Sequence, residues 1–320
     1  MSQKHPIIAV TGSSGAGTST VKRSFEHIFI REGIKSVVIE GDSYHKYNRV
    51  EMREIMSKAT AEGRNISHFG PEANVLDKLE ALFHEYGQTG QGQKRFYLHS
   101  PEEADHHNAR LNTTCKAGEF TPWEPLESQS DMLFYEGLHG GFVHGDVNVA
   151  QYVDLLVGVV PIVNLEWIQK IYRDNAERGY SAEAIVDTIL RRMPDYINHI
   201  APQFSRTHIN FQRVPTVDTS NPFICRDIPT LDESFVIIHT NRCFREKYSI
   251  DFPYLLDMIQ GSFMSRHTTL VVPGGKMGFA MEIILSPLID QLISNSKKLK
   301  QQSNGSGVAS FAGHAPVAAS

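Results

Sequence analysis

Gly12, Gly15, Gly17 and Ser19 are spaced to hold phosphate. They lie in the run Ile7-Ile8-Ala9-Val10-Thr11-Gly12-Ser13-Ser14-Gly15-Ala16-Gly17-Thr18-Ser19-Thr20, an apolar strand followed by a G-x-x-x-x-G loop and the start of a helix. Glycines lack a Cβ, so backbone N–H groups between Gly12 and Thr20 can wrap an anion closely, and the helix start adds its partial positive charge. The Ser19 hydroxyl falls where such loops supply a ligand to Mg²⁺. The pattern asks for lysine at the next position back and finds Thr18, so the cation for a transferring phosphate must come from elsewhere. A plain glycine turn would leave Ser19 unexplained. A dinucleotide fingerprint would need a third glycine where Thr20 stands.

Three further groups supply what phosphoryl transfer needs. Asp42, in Gly41-Asp42-Ser43-Tyr44-His45, follows an apolar run and is placed to accept a proton from an incoming hydroxyl. His45 and Arg49, one and two turns further on, suit a second anion. In Asp131-Met132-Leu133-Phe134-Tyr135-Glu136-Gly137, a short apolar strand delivers Glu136 toward the nucleotide metal. In Asn164–Arg178 the 100° helical step puts Leu165, Ile168 and Tyr172 on one face and Lys170, Arg173, Asp174 and Glu177 on the other, with Arg178 at its flank. An ordinary solvated helix face would look the same. Beside a phosphate loop without its lysine, the better account is a lid delivering Lys170 and Arg173 to ATP, with Asp174 holding metal or assisting the base.

The elements that must position these groups begin as a βαβ unit: strand Ile7–Val10, helix Ser19–Glu32, strand Ser36–Ile39, with Asp42 at its carboxyl end, where open α/β sheets bind ligands. Residues 62–130 are polar and weakly periodic, and read as an insertion over the active face with a helix near Asn74–Tyr86 and a hairpin around Lys94–Leu98. Strands follow at Met132–Tyr135 and Leu155–Val160, then helices Asn164–Arg178 and Ser181–Ile200. Strands near Val214–Val217, Phe235–Ile238 and Thr269–Val272 precede a last helix, Lys276–Leu292. The expectation is an α/β fold of the P-loop nucleotide kinase type, a mixed sheet flanked by helices with a lid. It comprises one domain over 1–295 and a disordered tail over 296–320.

The whole chain, 320 residues and 41% hydrophobic, supports a substantial core. A net charge of −5 argues against a broad nucleic-acid or anionic-membrane surface. The first residues run straight into a strand, leaving no room for a signal peptide, and the apolar stretch Val153–Val163 is too short to span a bilayer. Cys115, Cys225 and Cys243 show no ligand spacing and fit a reducing cytoplasm.

Taken together, Gly12–Thr20, Glu40-Gly41-Asp42 with His45 and Arg49, Phe134-Tyr135-Glu136-Gly137-Leu138-His139, Asn164–Lys170, Asn210–Pro215 and Asp218–Pro222 resemble the phosphoribulokinase family, proteobacterial type, from about Pro6 to Leu292. That family itself carries Thr at the loop's lysine position. The resemblance implies Mg²⁺-dependent transfer of the ATP γ-phosphate to the C1 hydroxyl of D-ribulose 5-phosphate, in a cytoplasmic homo-oligomer, an octamer. It implies Asp42 as general base, Glu136 and Asp174 on the metal side, Lys170 and Arg173 on ATP phosphates, and His45, Arg49 and Arg178 on the sugar phosphate. A kinase of the same fold acting on uridine or another hydroxylated metabolite is the alternative. The chain departs from the pattern at His239, where the family has an arginine tied to allosteric control, and at Asn241–Tyr248, which reads as a lengthened loop.

Overall fold

The first strand, β1 (Ile7–Thr11), is buried at every residue, as expected for a parallel strand covered on both faces. Ile8 and Val10 face one core, and Ile7 and Ala9 the other, the period of two that a strand imposes. The protein is described here from a computed structural model covering residues 4–13, 18–127, 129–224 and 227–305. Ser14, Gly15, Ala16 and Gly17 of the glycine loop lie outside the described residues, as do the side chains of Thr18, Ser19, Thr20 and Arg178.

Around β1 stand β2 (Ser36–Glu40), β3 (Met132–Gly137), β4 (Leu155–Val159) and β5 (Ile209–Pro215), each parallel to its neighbours in this part of the sheet. β6 (Ser234–Thr240), β7 (Phe263–Arg266) and β8 (Thr269–Pro273) extend it antiparallel. The eight strands are ordered β7-β8-β6-β5-β4-β1-β3-β2. The chain leaves β1 to one side for β2 and returns to its other side at β4, so the carboxyl end of β1 is a topological switch point, where such sheets open a crevice.

Helices cover both faces. α1 (Thr18–Arg31) buries Val21, Phe25, Ile28 and Phe29, a stripe at helical spacing, against Phe134 and the last helix α9 (Met277–Gly305). On the opposite face, α3 (Leu76–Thr89) buries Leu79, Phe83 and Tyr86 against Ile7, Ala9 and Tyr135, and ends at Gly90 with a left-handed φ of 72°. Around it lie α2 (Arg49–Ala61), opened by a capping box between Asn48 and Glu51, and α4 (Pro101–Leu111), capped by Ser100. α5 (Val163–Arg178) and α6 (Ala182–Asp195) form an antiparallel pair joined through Gly179, with α7 (Arg242–Tyr248) and α8 (Phe252–Met258) before the last two strands.

Several expectations need correction. Lys94–Leu98 is not a closed hairpin: Gln93–Lys94 pairs with Glu124–Pro125, and Tyr97 bridges Phe120, so the partner strand comes from far along the chain. The segment 241–248 is helix α7, because the Asn241 side chain caps it and Phe244 is buried. The strand expected at Val214–Val217 starts earlier, at Ile209, with Ile209 and Phe211 facing the core. The segment expected as tail begins inside α9, which continues to Gly305, and Ser296 is buried with its hydroxyl donating to Lys4 O at 2.5 Å. Residues 306–320 lie outside the described residues. Among the described helices α9 is long and apolar enough by composition to cross a bilayer, yet Met281, Leu285, Leu288, Ile289 and Leu292 pack into the core.

Candidate active site

The carboxyl ends of β2 and β3 meet through two glycines. A Cβ added to Gly137 would lie 2.7 Å from both Gly41 Cα and the Tyr135 hydroxyl, and one on Gly41 would lie 2.8 Å from Gly137 Cα. Only residues without side chains allow this approach, and it fixes where Asp42 and Glu136 emerge. Gly12 N–H donates to Gly137 O at 3.2 Å, tying the start of the glycine loop to the same point. A cavity of about 1050 Å³ opens over these strand ends.

Asp42 sits in the short 3₁₀ turn Gly41–Tyr44 and is half-exposed to the cavity, with Oδ1 3.2 Å from His45 Nε2 and Oδ2 3.7 Å from His99 Nε2. The protein around it works to raise its pKa. The hydrogen bond that His45 Nε2 donates once the ring is protonated, and the charges that His45, His99 and His68 then carry, outweigh this and hold the carboxyl well below the usual carboxylate range. His45 itself is buried, with Nδ1 2.9 Å from Asn74 Oδ1 and its ring stacked on His68. Both of its ring nitrogens therefore face protein partners, and its geometry serves Asp42 more directly than a substrate phosphate. Arg49 does line the cavity, with Nη2 donating to His99 O at 3.0 Å, and Arg53, one turn further along α2, lines it too.

Glu136, next to last in β3, stands directly opposite Glu40 at the end of β2. Lys22, on the first turns of α1, reaches Glu40 Oε1 at 2.6 Å. Burial works to lower the Lys22 pKa, but Glu40, Glu136 and Glu26 raise it overall. Glu136 is a hard oxygen donor near the carboxyl end of β3, the kind of ligand that Mg²⁺ takes in a small protein share beside water and phosphate.

The lid side of the cavity is built by α5 and α6. Gly179 turns the chain at a φ of 66° and Ser181 caps α6, its hydroxyl accepting from Ala184 N–H at 3.3 Å. The 100° step brings Lys170, Arg173 and Asp174 together as the sequence implies. Lys170 Nζ donates to Asp174 Oδ2, while Arg173 Nε and Nη2 donate to Oδ1 at 3.1 and 3.0 Å. Asp174 is buried between them. Burial pushes the Lys170 pKa down; Asp174 opposes this, and Arg192 and Arg173 add to the depression. Glu166, at the start of the same helix, is buried near the Ser13 hydroxyl, and desolvation pushes it up to about 7 against the pull of Ser13, Lys170 and Arg173.

Of the residues expected from the sequence, Gly12, Asp42, His45, Arg49, Glu136, Lys170 and Arg173 line one cavity. Residues that went unnoticed there include Lys22, Arg53, His68, His99 and Glu166. Lys22 could have been found, because it lies one turn beyond Thr18 on the same helix. His68 and His99 come from the 62–130 segment, whose weak periodicity carried no signal for their placement.

Comparisons with known proteins point to one family. The family model described as Phosphoribulokinase / Uridine kinase family matches residues 7–220. The chain is 59% identical over 302 residues to a chromosomal phosphoribulokinase of Cupriavidus necator, covering 94% of this chain and 100% of that protein. It is 59% identical over 297 residues to a probable phosphoribulokinase of Escherichia coli, covering 93% and 99% of the two chains. A solved phosphoribulokinase from Rhodobacter spheroides superposes with a TM-score of 0.81 at 54% identity, over 92% of this chain and 99% of its own.

Proposed function

Since the chain belongs to the phosphoribulokinase / uridine kinase family, we propose that it transfers the γ-phosphate of ATP to the C1 hydroxyl of D-ribulose 5-phosphate, giving D-ribulose 1,5-bisphosphate. The observation that carries this reading is that one cavity gathers Asp42, Glu136, Arg49 and Lys170 beside Gly12. Asp42 takes the hydroxyl proton. Glycine-loop N–H groups hold the β- and γ-phosphates, and Lys170 and Arg173 approach the transferring phosphoryl oxygens from the lid. Arg49 and Arg178 hold the substrate phosphate, with Arg53 beside Arg49. Mg²⁺ held by Glu136 and Ser19 supplies charge screening of the nucleotide phosphates when bound. Asp174 keeps the two lid cations in place, since both of its oxygens are engaged by them.

The kinase is read as one domain over 1–295 with residues 62–130 laid over the active face, a placement supported by His68, Tyr97 and His99 in the cavity wall. Its partners are ATP and ribulose 5-phosphate, without nucleic acid or membrane, in a cytoplasmic homo-oligomer. The test is a purified-enzyme assay with ATP and Mg²⁺ against ribulose 5-phosphate, ribose 5-phosphate and uridine. Cations desolvated for a phosphate are left unpaired by an uncharged acceptor, so kcat/KM for ribulose 5-phosphate is expected to exceed that for uridine by about 10⁴ or more. Equal values for the two would remove the sugar-phosphate assignment.

A further inference from the structure

Asn74 is buried opposite His45, and its amide orientation is fixed by its surroundings. Nδ2 donates to His68 O at 2.9 Å and to Gly70 O at 2.7 Å, two carbonyls that can only accept. Oδ1 is therefore the atom turned toward His45 Nδ1 at 2.9 Å, and as an acceptor it requires a proton on Nδ1. In the neutral ring that leaves the lone pair of Nε2 pointing at Asp42 Oδ1, 3.2 Å away. Two acceptors held face to face form a site with a strong appetite for one proton.

We infer that Asn74 is a positioning residue that fixes the proton of His45 on Nδ1, so that Asp42 and His45 act as one proton-accepting pair. The inference rests on the reading of Asp42 as general base. The substrate O–H bond breaks as its oxygen takes the phosphoryl group. The proton passes to Asp42 and comes to rest on His45 Nε2, where it is held between the imidazolium and the carboxylate. Other groups face the pair from the elements packed against it. The His68 ring stacks on His45 at 3.9 Å and is pushed down to about 2 by burial, and the buried His139 is pushed down to about 4. Arg95 Nη2 donates to His45 O at 2.6 Å, the Tyr97 ring stands edge-on at 6.2 Å, and His99 faces the other Asp42 oxygen. A proton already held between the two groups leaves no place for the substrate's, so the pH dependence of kcat/KM reads the pair as a unit.

The first measurement needs no variant. Magic-angle-spinning NMR of the full-length enzyme labelled with ¹⁵N-histidine, with His45 assigned by its loss in His45→Gln, is expected to show the neutral ring protonated on Nδ1. A neutral ring protonated on Nε2 overturns the inference. The second is kinetic. Asn74→Asp places a carboxylate against Nδ1, favours the charged ring, and is expected to move the acid limb to higher pH with ATP KM changed less than about threefold. Asn74→Leu is expected to lower kcat by about tenfold or more. An acid limb unchanged in Asn74→Asp also overturns the inference. Asp42→Asn separates this from the parent reading: it is expected to lower kcat by about 10²–10⁴, and a near-normal kcat would remove the general-base role while leaving the tautomer result standing.

Discussion

Lys170 and Arg173 share one carboxylate, Asp174, so these three paired side chains of the lid carry a net charge of about +1. In the proposed mechanism that arrangement stands in for the absent loop lysine. A cation on a helix can approach the γ-phosphate as the lid closes, when charge on the transferring oxygens is greatest. Lys170→Met leaves Arg173 and Asp174 to cancel each other, and kcat is expected to fall by about 10² or more while ATP KM rises modestly. Lys22→Met should cost less in kcat, because Lys22 is engaged by Glu40. Thr18→Lys is not expected to rescue Lys170→Met, since a loop-fixed charge does not move with the lid. Steady-state kinetics of the three variants decides the matter: a near-normal kcat for Lys170→Met, or full rescue by Thr18→Lys, would return the role to the loop or to Lys22.

At the scale of elements, the site depends on how closely β2 and β3 end. Gly137→Ala puts a methyl group 2.7 Å from Gly41 Cα, a backbone atom that cannot rotate away. The strand ends must part, at a cost of about 1–3 kcal/mol, and Asp42 and Glu136 move with them. Thermal unfolding and kcat should therefore both fall, and a variant with wild-type values for both would show that the glycine contact is dispensable. The elements that carry this site were the ones legible in the sequence. β1, β2 and β3 are short apolar runs ending in a motif residue, and α1 and α5 carry clear stripes. The rest was hidden for physical reasons. α4 buries only Ala104, so no apolar stripe marks it, although Ser100, Pro101 and Glu103 are start signals. β5 alternates Ile209, Asn210, Phe211 and Gln212, and its polar outward positions read as loop. The 62–130 segment is placed by distant contacts, such as Arg95 donating to Ser43 O at 2.8 Å, which no local pattern encodes. Asn74 gave no signal as a site residue because its part depends on two carbonyls it meets only in the fold.

On the scale of the whole molecule, acid is expected to weaken the fold through histidines kept neutral beneath the site. His139 is buried, and its Nε2 donates to Phe69 O at 3.1 Å. Desolvation pushes it down to about 4, against the pull of that carbonyl. His208 accepts the Leu156 N–H on Nδ1 at 2.8 Å, so a proton there would break a backbone tie at the edge of β4. Burial pushes it down to about 4 as well, and Lys247 adds to this. The sign follows from linkage. In the unfolded chain a histidine takes its proton near pH 6.5, while these two stay neutral in the fold until about pH 4. Across that window the unfolded state binds more protons, so stability is fully present above pH 6.5 and is lost as pH falls toward 4. His139 alone accounts for about 3 kcal/mol of that loss, as an order of magnitude. His139→Gln can keep the donor to Phe69 O, and His208→Asn can keep the acceptor for Leu156 N–H, and neither residue titrates. The double variant should therefore show a shallower fall of Tm between pH 6.5 and 4 than the parent, measured by calorimetry in matched buffers. A parent Tm that is flat across the window would overturn the prediction, and a double variant with the parent's slope would place the acid sensitivity elsewhere, in the carboxylate pairs of the surface and lid.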